Sequence, residues 1–381
     1  MPAHEAFRRK DLVASLADSV AREAEGLGEL KFMHVCGTHE RSVNAFGLRS
    51  LLPPNLKIVA GPGCPVCVCP VPELLAARSL ALRPGATLAS FGDMLGVPMP
   101  GGSLLEARRE GASLRLVYSA ADALALARAD RGREIIFLSV GFETTTAPTA
   151  ALLASLEREA VPNFSVLSAN RLVPEALRVL LEGRRLGPEG SAAPPIDGLI
   201  LPGHVAAIVG SEAFRFLARD FGLPCVVAGF EPVDLLEALR DLIAQKRGGR
   251  AELGNGYSRA VRPEGNLKAK ALMAKVYEVR DAEWRGLGFL PGTGLALRPE
   301  FAAYDASSKY RDALPRGRGA EDREPAVEDS GCLCSSVILG RAEPEDCPRF
   351  GSSCAPGDPF GPCMVSEEGT CRIRFDFGGA A

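Results

Sequence analysis

The sequence predicts an α/β fold: two similar parallel-sheet α/β domains around a cleft, followed by a C-terminal domain built on cysteine-bound metal. Three observations predict it. Short apolar runs alternate with helical stretches from about residue 30 to 250, the βαβα rhythm of parallel sheets covered by helices. The runs are nearly unbroken in apolar residues, as strands buried on both faces are. Beyond about residue 255 the rhythm fades, and six cysteines gather between 332 and 371 with little apolar periodicity around them.

The elements follow in order. The first 20 residues read as an amphipathic helix with Leu12, Val13, Leu16 and Val20 on one face, and they lack the apolar block of a signal peptide. Candidate strands are Lys31–Val35, Lys57–Ala60, Thr87–Phe91, Ser113–Tyr118, Glu134–Val140, Phe164–Leu167, Gly198–Leu201 and Cys225–Ala228. Helical segments between them include Pro72–Leu82, Ala120–Arg128, Thr149–Glu157, Pro174–Leu181 and Pro232–Ala244. The order CGTHE (36–40), GPGC (61–64), SFGDMLGVP (90–98) is echoed by GFETTT (141–146), LPGH (201–204) and VAGFEPVD (227–234). This faint repeat places a boundary near Ser119 and domains at 1–119, 120–254 and 255–381. Residues 265–284 read as one helical stretch, 286–299 as a Gly/Pro-rich passage, and the charged run Arg316 to Glu328 as a solvated linker.

Composition narrows the function. The 44 basic and 47 acidic side chains of the 381-residue chain leave a net charge of −3, which gives nucleic acid and anionic membranes no electrostatic hold. Aromatic residues are 6%, with a single Trp, too few for base-stacking platforms. No stretch approaches the ~20 apolar residues of a membrane span. The expected compartment is the cytoplasm, where thiols stay reduced, so the clustering of the 11 cysteines points to metal or redox chemistry.

Four constellations carry that chemistry. Cysteines 332, 334, 347, 354, 363 and 371 contain one tight pair, Cys332 and Cys334, and then gaps of 12, 6, 8 and 7 residues. Zinc sites favour paired knuckles, whereas wide gaps suit an iron–sulfur cubane held from separated turns. Cys64 and Cys67 form a C-x-x-C after a strand, a redox dithiol or half of a zinc knuckle completed by Cys69 or His39; a helix starting near Pro70 or Pro72 would favour its thiolate. Cys36, His39 and Glu40 place thiol, imidazole and carboxylate within five residues at a strand's end, able to ligate a transition metal or to activate a nucleophilic cysteine. There the Cys36 thiol is expected to face the cleft. His204 lies in another strand-end loop, while His34 and Cys225 read as core. The run Gly141 to Thr146 could cradle an anion or simply cap a helix. Gly-Lys-Ser/Thr is absent, so nucleotide binding has no support.

The chain resembles the HypD family of hydrogenase-maturation proteins. CGTHE, GPGCPVC (61–67), SFGDMLGVP, GFETTTAP (141–148), LPGHV (201–205), AGFEPVD (228–234), GCLC (331–334), DCPRFG (346–351) and GPCMVSEEGTC (361–371) carry the resemblance in order. It implies two similar α/β domains and a third with a 4Fe–4S cluster. It also implies assembly of the Fe(CN)2CO group of nickel–iron hydrogenases, with the iron held by a complex with a HypC-type small chaperone and cyanide delivered by a HypE-type partner. Carried over residue by residue, Cys36 becomes the iron ligand, assisted by His39 and Glu40, and Cys64 with Cys67 the redox pair. Cys332, Cys347, Cys354 and Cys371 become the cluster ligands, with Cys334 and Cys363 as accessory thiols. Cys69 departs from the family pattern. An iron–sulfur thiol/disulfide oxidoreductase and a zinc-stabilised interaction protein are the competing readings.

Overall fold

A computed structural model describes residues 7–183, 196–315 and 331–378; the expected linker 316–328 lies outside them. The strands are β1 Leu30–His34, β2 Leu56–Ala60, β3 Ala86–Ser90, β4 Leu114–Leu116, β5 Glu134–Gly141, β6 Phe164–Asn170, β7 Gly198–Pro202, β8 Cys225–Ala228, β9 Leu253–Asn255, β10 Tyr277–Trp284 and β11 Gly288–Leu297. The longer helices are α1 Lys10–Ala24, α2 Gly37–Ala45, α3 Val71–Ala81, α4 Ala120–Ala129, α5 Glu143–Ser155, α6 Val173–Glu182, α7 Gly203–Val209, α8 Arg215–Phe221, α9 Pro232–Arg247, α10 Leu267–Val276 and α11 Thr370–Phe377. None of these is long and apolar enough to cross a membrane.

The α/β expectation holds. One sheet has five strands in the order β2-β1-β7-β8-β9 and another has four in the order β4-β3-β5-β6. Every pairing in both is parallel, and the residues of β3, β6, β7 and β8 are all buried. The sheets do not follow the halving near Ser119. After β2 the chain leaves the first sheet, builds β3 to β6, and returns to lay β7 beside β1. A boundary at 119/120 therefore runs through the four-stranded sheet, because β4 and β5 both pair with β3.

Three further expectations are corrected. The helical stretch over 265–284 ends at Val276, and Tyr277 turns it into β10, which pairs antiparallel with β11 in the passage expected to be irregular. Trp284, on β10, is almost fully buried. The helix expected from Thr149 begins at Glu143, with Pro148 inside it. The cysteine-rich tail also does not stand apart: Cys332, Cys334 and Cys363 belong to the same apolar cluster as Met33, Val59, Leu88 and Trp284.

In each sheet the strand order reverses around one strand, β1 in the first and β3 in the second. Crevices at the carboxyl ends of such strands are where open α/β sheets bind ligands. Cys36 lies just past β1, and Asp93 just past β3.

Candidate functional site

The residue caps of α2 build the first part of the site. Cys36 is the N-cap of this helix, so the backbone N–H groups of Thr38 and His39 favour its thiolate, as helix starts do. Burial outweighs them: with the neighbouring Glu368 carboxyl, it pushes the Cys36 thiol up to about 11. The side chain is only 8% exposed. The expected thiol facing an open cleft is thus covered. Its cover comes from the tail, where Glu368 accepts a hydrogen bond from Thr38 Oγ1 at 3.2 Å. A Cβ on Gly37 would lie 2.5 Å from the Glu368 Cβ, so only glycine permits this approach.

His39 and Glu40 diverge from one another. His39 Nε2 donates to the Gly229 carbonyl at 3.0 Å, which leaves its buried Nδ1 without a partner. Burial, aided by His34, pushes its pKa down to about 3, so the ring is neutral. One nitrogen fixed on a carbonyl and the other holding a free lone pair is the arrangement of a metal-binding imidazole. Glu40, by contrast, is fully engaged. Its oxygens accept from His34 Nε2 at 2.7 Å, from Arg49 at 2.8 Å and from Asn44 Nδ2 at 2.8 Å. Burial opposes its ionisation, yet His34 and Arg49 hold it well below the usual carboxylate range. Glu40 secures α2 to β1 rather than reaching Cys36. His204 lies not in the expected strand-end loop but in the first turn of α7, where it stacks on Phe230 with ring centroids 3.8 Å apart; the His39 ring centroid is 4.9 Å from that of Phe230.

The loop after β2 lies directly behind Cys36. Gly37 N–H donates to the Gly63 carbonyl at 3.2 Å, and Gly61 N–H to the His34 carbonyl at 2.7 Å. Cys64 and Cys67 are joined as a disulfide, and both are buried. It is Cys69, not this pair, that immediately precedes Pro70, the N-cap of α3. Its thiol lies 3.7 Å from Glu73 Oε2, and burial with that carboxylate holds it strongly protonated. Glu73 also receives the buried Arg171 at 2.8 Å, an ion pair that ties α3 to the end of β6.

The tail forms the third part. Cys332, Cys334, Cys347, Cys354, Cys363 and Cys371 line one cavity, with Val337, Phe350 and Met364 and no charged side chain among its walls. Among the described residues no three His, Cys, Asp or Glu side chains meet as the ligands of a single metal ion; the thiols stand around a space instead. Cys334 Sγ and Cys363 Sγ are 3.0 Å apart. Burial pushes the Cys332 thiol up to about 12 and raises Cys354; a coordinating cation is what deprotonates thiols so placed. Soft donors surrounding an apolar cavity fit an iron–sulfur cluster.

The loop between Cys363 and Cys371 connects all of this. Ser366 Oγ and Glu367 N–H donate to Asp93 Oδ2 at 2.9 and 3.1 Å, and the next residue, Glu368, covers Cys36. One loop thus touches the carboxyl edges of both sheets while its ends carry cavity thiols. Sequence reading placed Asp93 and Phe230 only within the strand-end segments FGD (91–93) and GFE (229–231), and did not single out Glu368. An acidic residue trapped between two clustered cysteines was the available signal for Glu368. The GFETTT run opens α5, and Glu143 within it is buried: its Oε1 accepts from Val173 N–H at 3.0 Å, its Oε2 has no partner, and burial raises it to about 8.

A family model described as "HypD: Hydrogenase formation hypA family" matches residues 11–378. The chain is similar to a protein named hydrogenase maturation factor HypD from Azotobacter vinelandii, 42% identical over 98% of this chain and 96% of that one. It is equally similar in extent to proteins of the same name from Cupriavidus necator, at 40% identity over 98% and 96%, and Rhodobacter capsulatus, at 40% over 98% and 97%.

Proposed function

We propose, from the premise that this chain belongs to the HypD family of hydrogenase formation proteins, that it is the scaffold and redox centre on which the Fe(CN)2CO group of nickel–iron hydrogenases is assembled. It works there with a HypC-type chaperone and a HypE-type cyanide donor. The observation that carries this reading is the 363–371 loop, whose ends line the thiol cavity while Glu368 rests on the Cys36 turn.

Iron is the cargo, and Cys36 is its ligand. A soft thiolate suits iron bearing strong-field ligands. When iron binds, the Cys36 proton must leave, and Glu368 is the neighbouring base: burial raises its carboxyl, which makes it a better proton acceptor than an exposed glutamate. His39 offers Nδ1 as a second donor or as a hydrogen-bond acceptor for a ligand on the iron. The Cys64–Cys67 disulfide would open by taking two electrons and two protons from an external dithiol or electron-carrier reductant, and closing it again would return both electrons to cyanide transfer. Cys332, Cys347, Cys354 and Cys371 would hold a 4Fe–4S cluster, with Cys334 and Cys363 as the accessory pair, and that cluster supplies one-electron transfer.

The test is anaerobic purification of the chain alone and in complex with a HypC-type chaperone. Expected are about four iron and four sulfide per chain, the content of one cubane, and infrared bands of CO and CN on the complex. Cys36→Ala should keep the iron–sulfur absorbance and lose the bands. Zinc in place of iron, or Cys36→Ala with bands at wild-type intensity, overturns the reading.

A further inference from the structure

The segment that covers Cys36 differs from the chain on either side of it. Met364 before it and Ile373 after it are almost fully buried and anchor its ends. Between them Ser366, Glu367 and Glu368 carry no apolar side chain, and polar bonds hold them to the two sheets. Ser366 Oγ donates to Asp93 Oδ2 at 2.9 Å and accepts the Glu368 N–H at 3.2 Å. One hydroxyl thus joins the turn after β3 to the residue that lies over Cys36. Glu367 N–H donates to the same Asp93 oxygen at 3.1 Å, while its exposed carboxylate comes no nearer than 3.9 Å to Arg41. Glu368 accepts from Thr38 Oγ1 at 3.2 Å. Gly369 N–H then returns to the Ser366 carbonyl at 2.8 Å, which closes residues 366–369 into a turn that moves as a unit. Gly369 packs so tightly on the Cys363 carbonyl that a Cβ would lie 2.2 Å from that oxygen, and this contact is the pivot.

A segment with little apolar burial and few bonds opens at a much lower free energy than the fold around it. The remaining walls of Cys36 are fixed by contrast, since Gly63 abuts its backbone nitrogen and the Val35 carbonyl carbon. We propose that residues 366–369 form a strap clipped shut by Asp93, and that release of the clip is the step that opens Cys36 to its iron cargo. This rests on the reading of Cys36 as the iron ligand given above. With the strap closed, Cys36 is only 8% exposed, too little open surface to admit iron bearing CN and CO. Because the Ser366 hydroxyl bonds both Asp93 and the Glu368 backbone, freeing the clip also frees the cover. Asp93 and Ser366 are positioning residues: both act on Cys36 through Glu368. The strap swings while Met364 and Ile373 keep its ends in place, so opening requires no unfolding of either sheet.

The experiment uses the anaerobically purified full chain as wild type, Ser366→Ala and Asp93→Asn. Each is alkylated with iodoacetamide, and labelling of Cys36 and Cys225 is followed by peptide mass spectrometry. Cys225, buried within β8, reports global unfolding. Expected is Cys36 labelling about tenfold faster in both variants, the change in local opening that loss of one hydrogen bond to a charged group produces. Cys225 should keep its wild-type rate. If Asp93→Asn accelerates both cysteines, Ser366→Ala decides. Cys36 at the wild-type rate in Ser366→Ala, or both cysteines accelerated together in it, overturns the strap. A second arm challenges the complex with a HypC-type chaperone with a ferrous chelator and follows the CO and CN infrared bands. Ser366→Ala should lose them about tenfold faster than wild type, and equal rates overturn the strap's hold on the cargo. A wild-type complex that never shows the bands overturns the iron reading instead, and the labelling still decides the strap.

Discussion

Gly37 donates its N–H to the carbonyl of Gly63 at 3.2 Å, and this bond joins the turn bearing Cys36 to the loop closed by Cys64 and Cys67. The two glycines meet because neither has a side chain to keep the loops apart. A Cβ on Gly63 would collide with the Cys36 nitrogen and the Val35 carbonyl carbon.

Gly63→Ala is therefore expected to force the two loops apart. Overpacking of this kind costs about 1–3 kcal/mol, and here backbone atoms, not a flexible side chain, must yield. Denaturant unfolding should show that loss. Thiol labelling should show a faster Cys36, since its burial under Glu368 depends on the same turn. Wild-type stability with unchanged labelling would mean the two loops are not held together as described.

The tail thiols and the disulfide should separate cleanly under substitution. Cys354→Ala is expected to abolish iron–sulfur absorbance while leaving the α/β body folded by circular dichroism, because Cys332, Cys334 and Cys363 share the main apolar cluster. Cys64→Ser should do the reverse, retaining the absorbance and losing hydrogenase maturation in a complemented host. Maturation that persists in Cys64→Ser would assign the pair a purely structural part.

Glu143 gives a pH signature with a definite sign. Burial holds its folded pKa up at about 8, against about 4.3 unfolded. The folded state thus keeps a proton that the unfolded state releases, and stability from this group is full below about 4.3 and lost as pH rises through about 8. Glu143→Gln cannot ionise and keeps an oxygen for the Val173 N–H. Its stability relative to wild type should therefore improve from pH 5 to pH 8. A difference independent of pH would show that the carboxyl is not held neutral.

The parts legible in the sequence were those whose chemistry is local. Strand ends followed by glycine and a polar residue marked Cys36, Cys64 and His39, since a parallel strand buried on both faces writes itself as an apolar run. Pairing between distant segments leaves no such trace. Whether β3 joins β2 or β5 depends on contacts the run of Ala86–Ser90 does not encode, so the sheets were divided at the wrong place. The hairpin was missed for a different reason. Leu267, Leu272, Met273 and Val276 carry a helical period up to the start of β10, while Gly288, Pro291, Gly292 and Gly294 resemble a loop. Gly294 is in fact required by close strand approach, with Ala282 Cβ 2.6 Å from where its own would be. Pro148 hid the first turn and a half of α5 in the same way. Glu368 offered only its place between two clustered cysteines, because its partner Thr38 is supplied by a distant part of the chain. Glu40 misled: next to His39 in sequence, it points to His34 and Arg49.

The excursion of the chain between β2 and β7 has a consequence for how the protein is made on the ribosome. All strands of the four-stranded sheet, residues 86–170, emerge together and can pair at once. β1 and β2 emerge first, yet β1 waits for β7 at Gly198 before its second edge is covered. Pairings that close long loops form late. Glu368 leaves the ribosome only after all eleven strands, β1 to β11. Cys36 therefore cannot be covered by Glu368 until every strand of both sheets has been made, and the tail that lines the thiol cavity is also the piece that shuts the Cys36 thiol away.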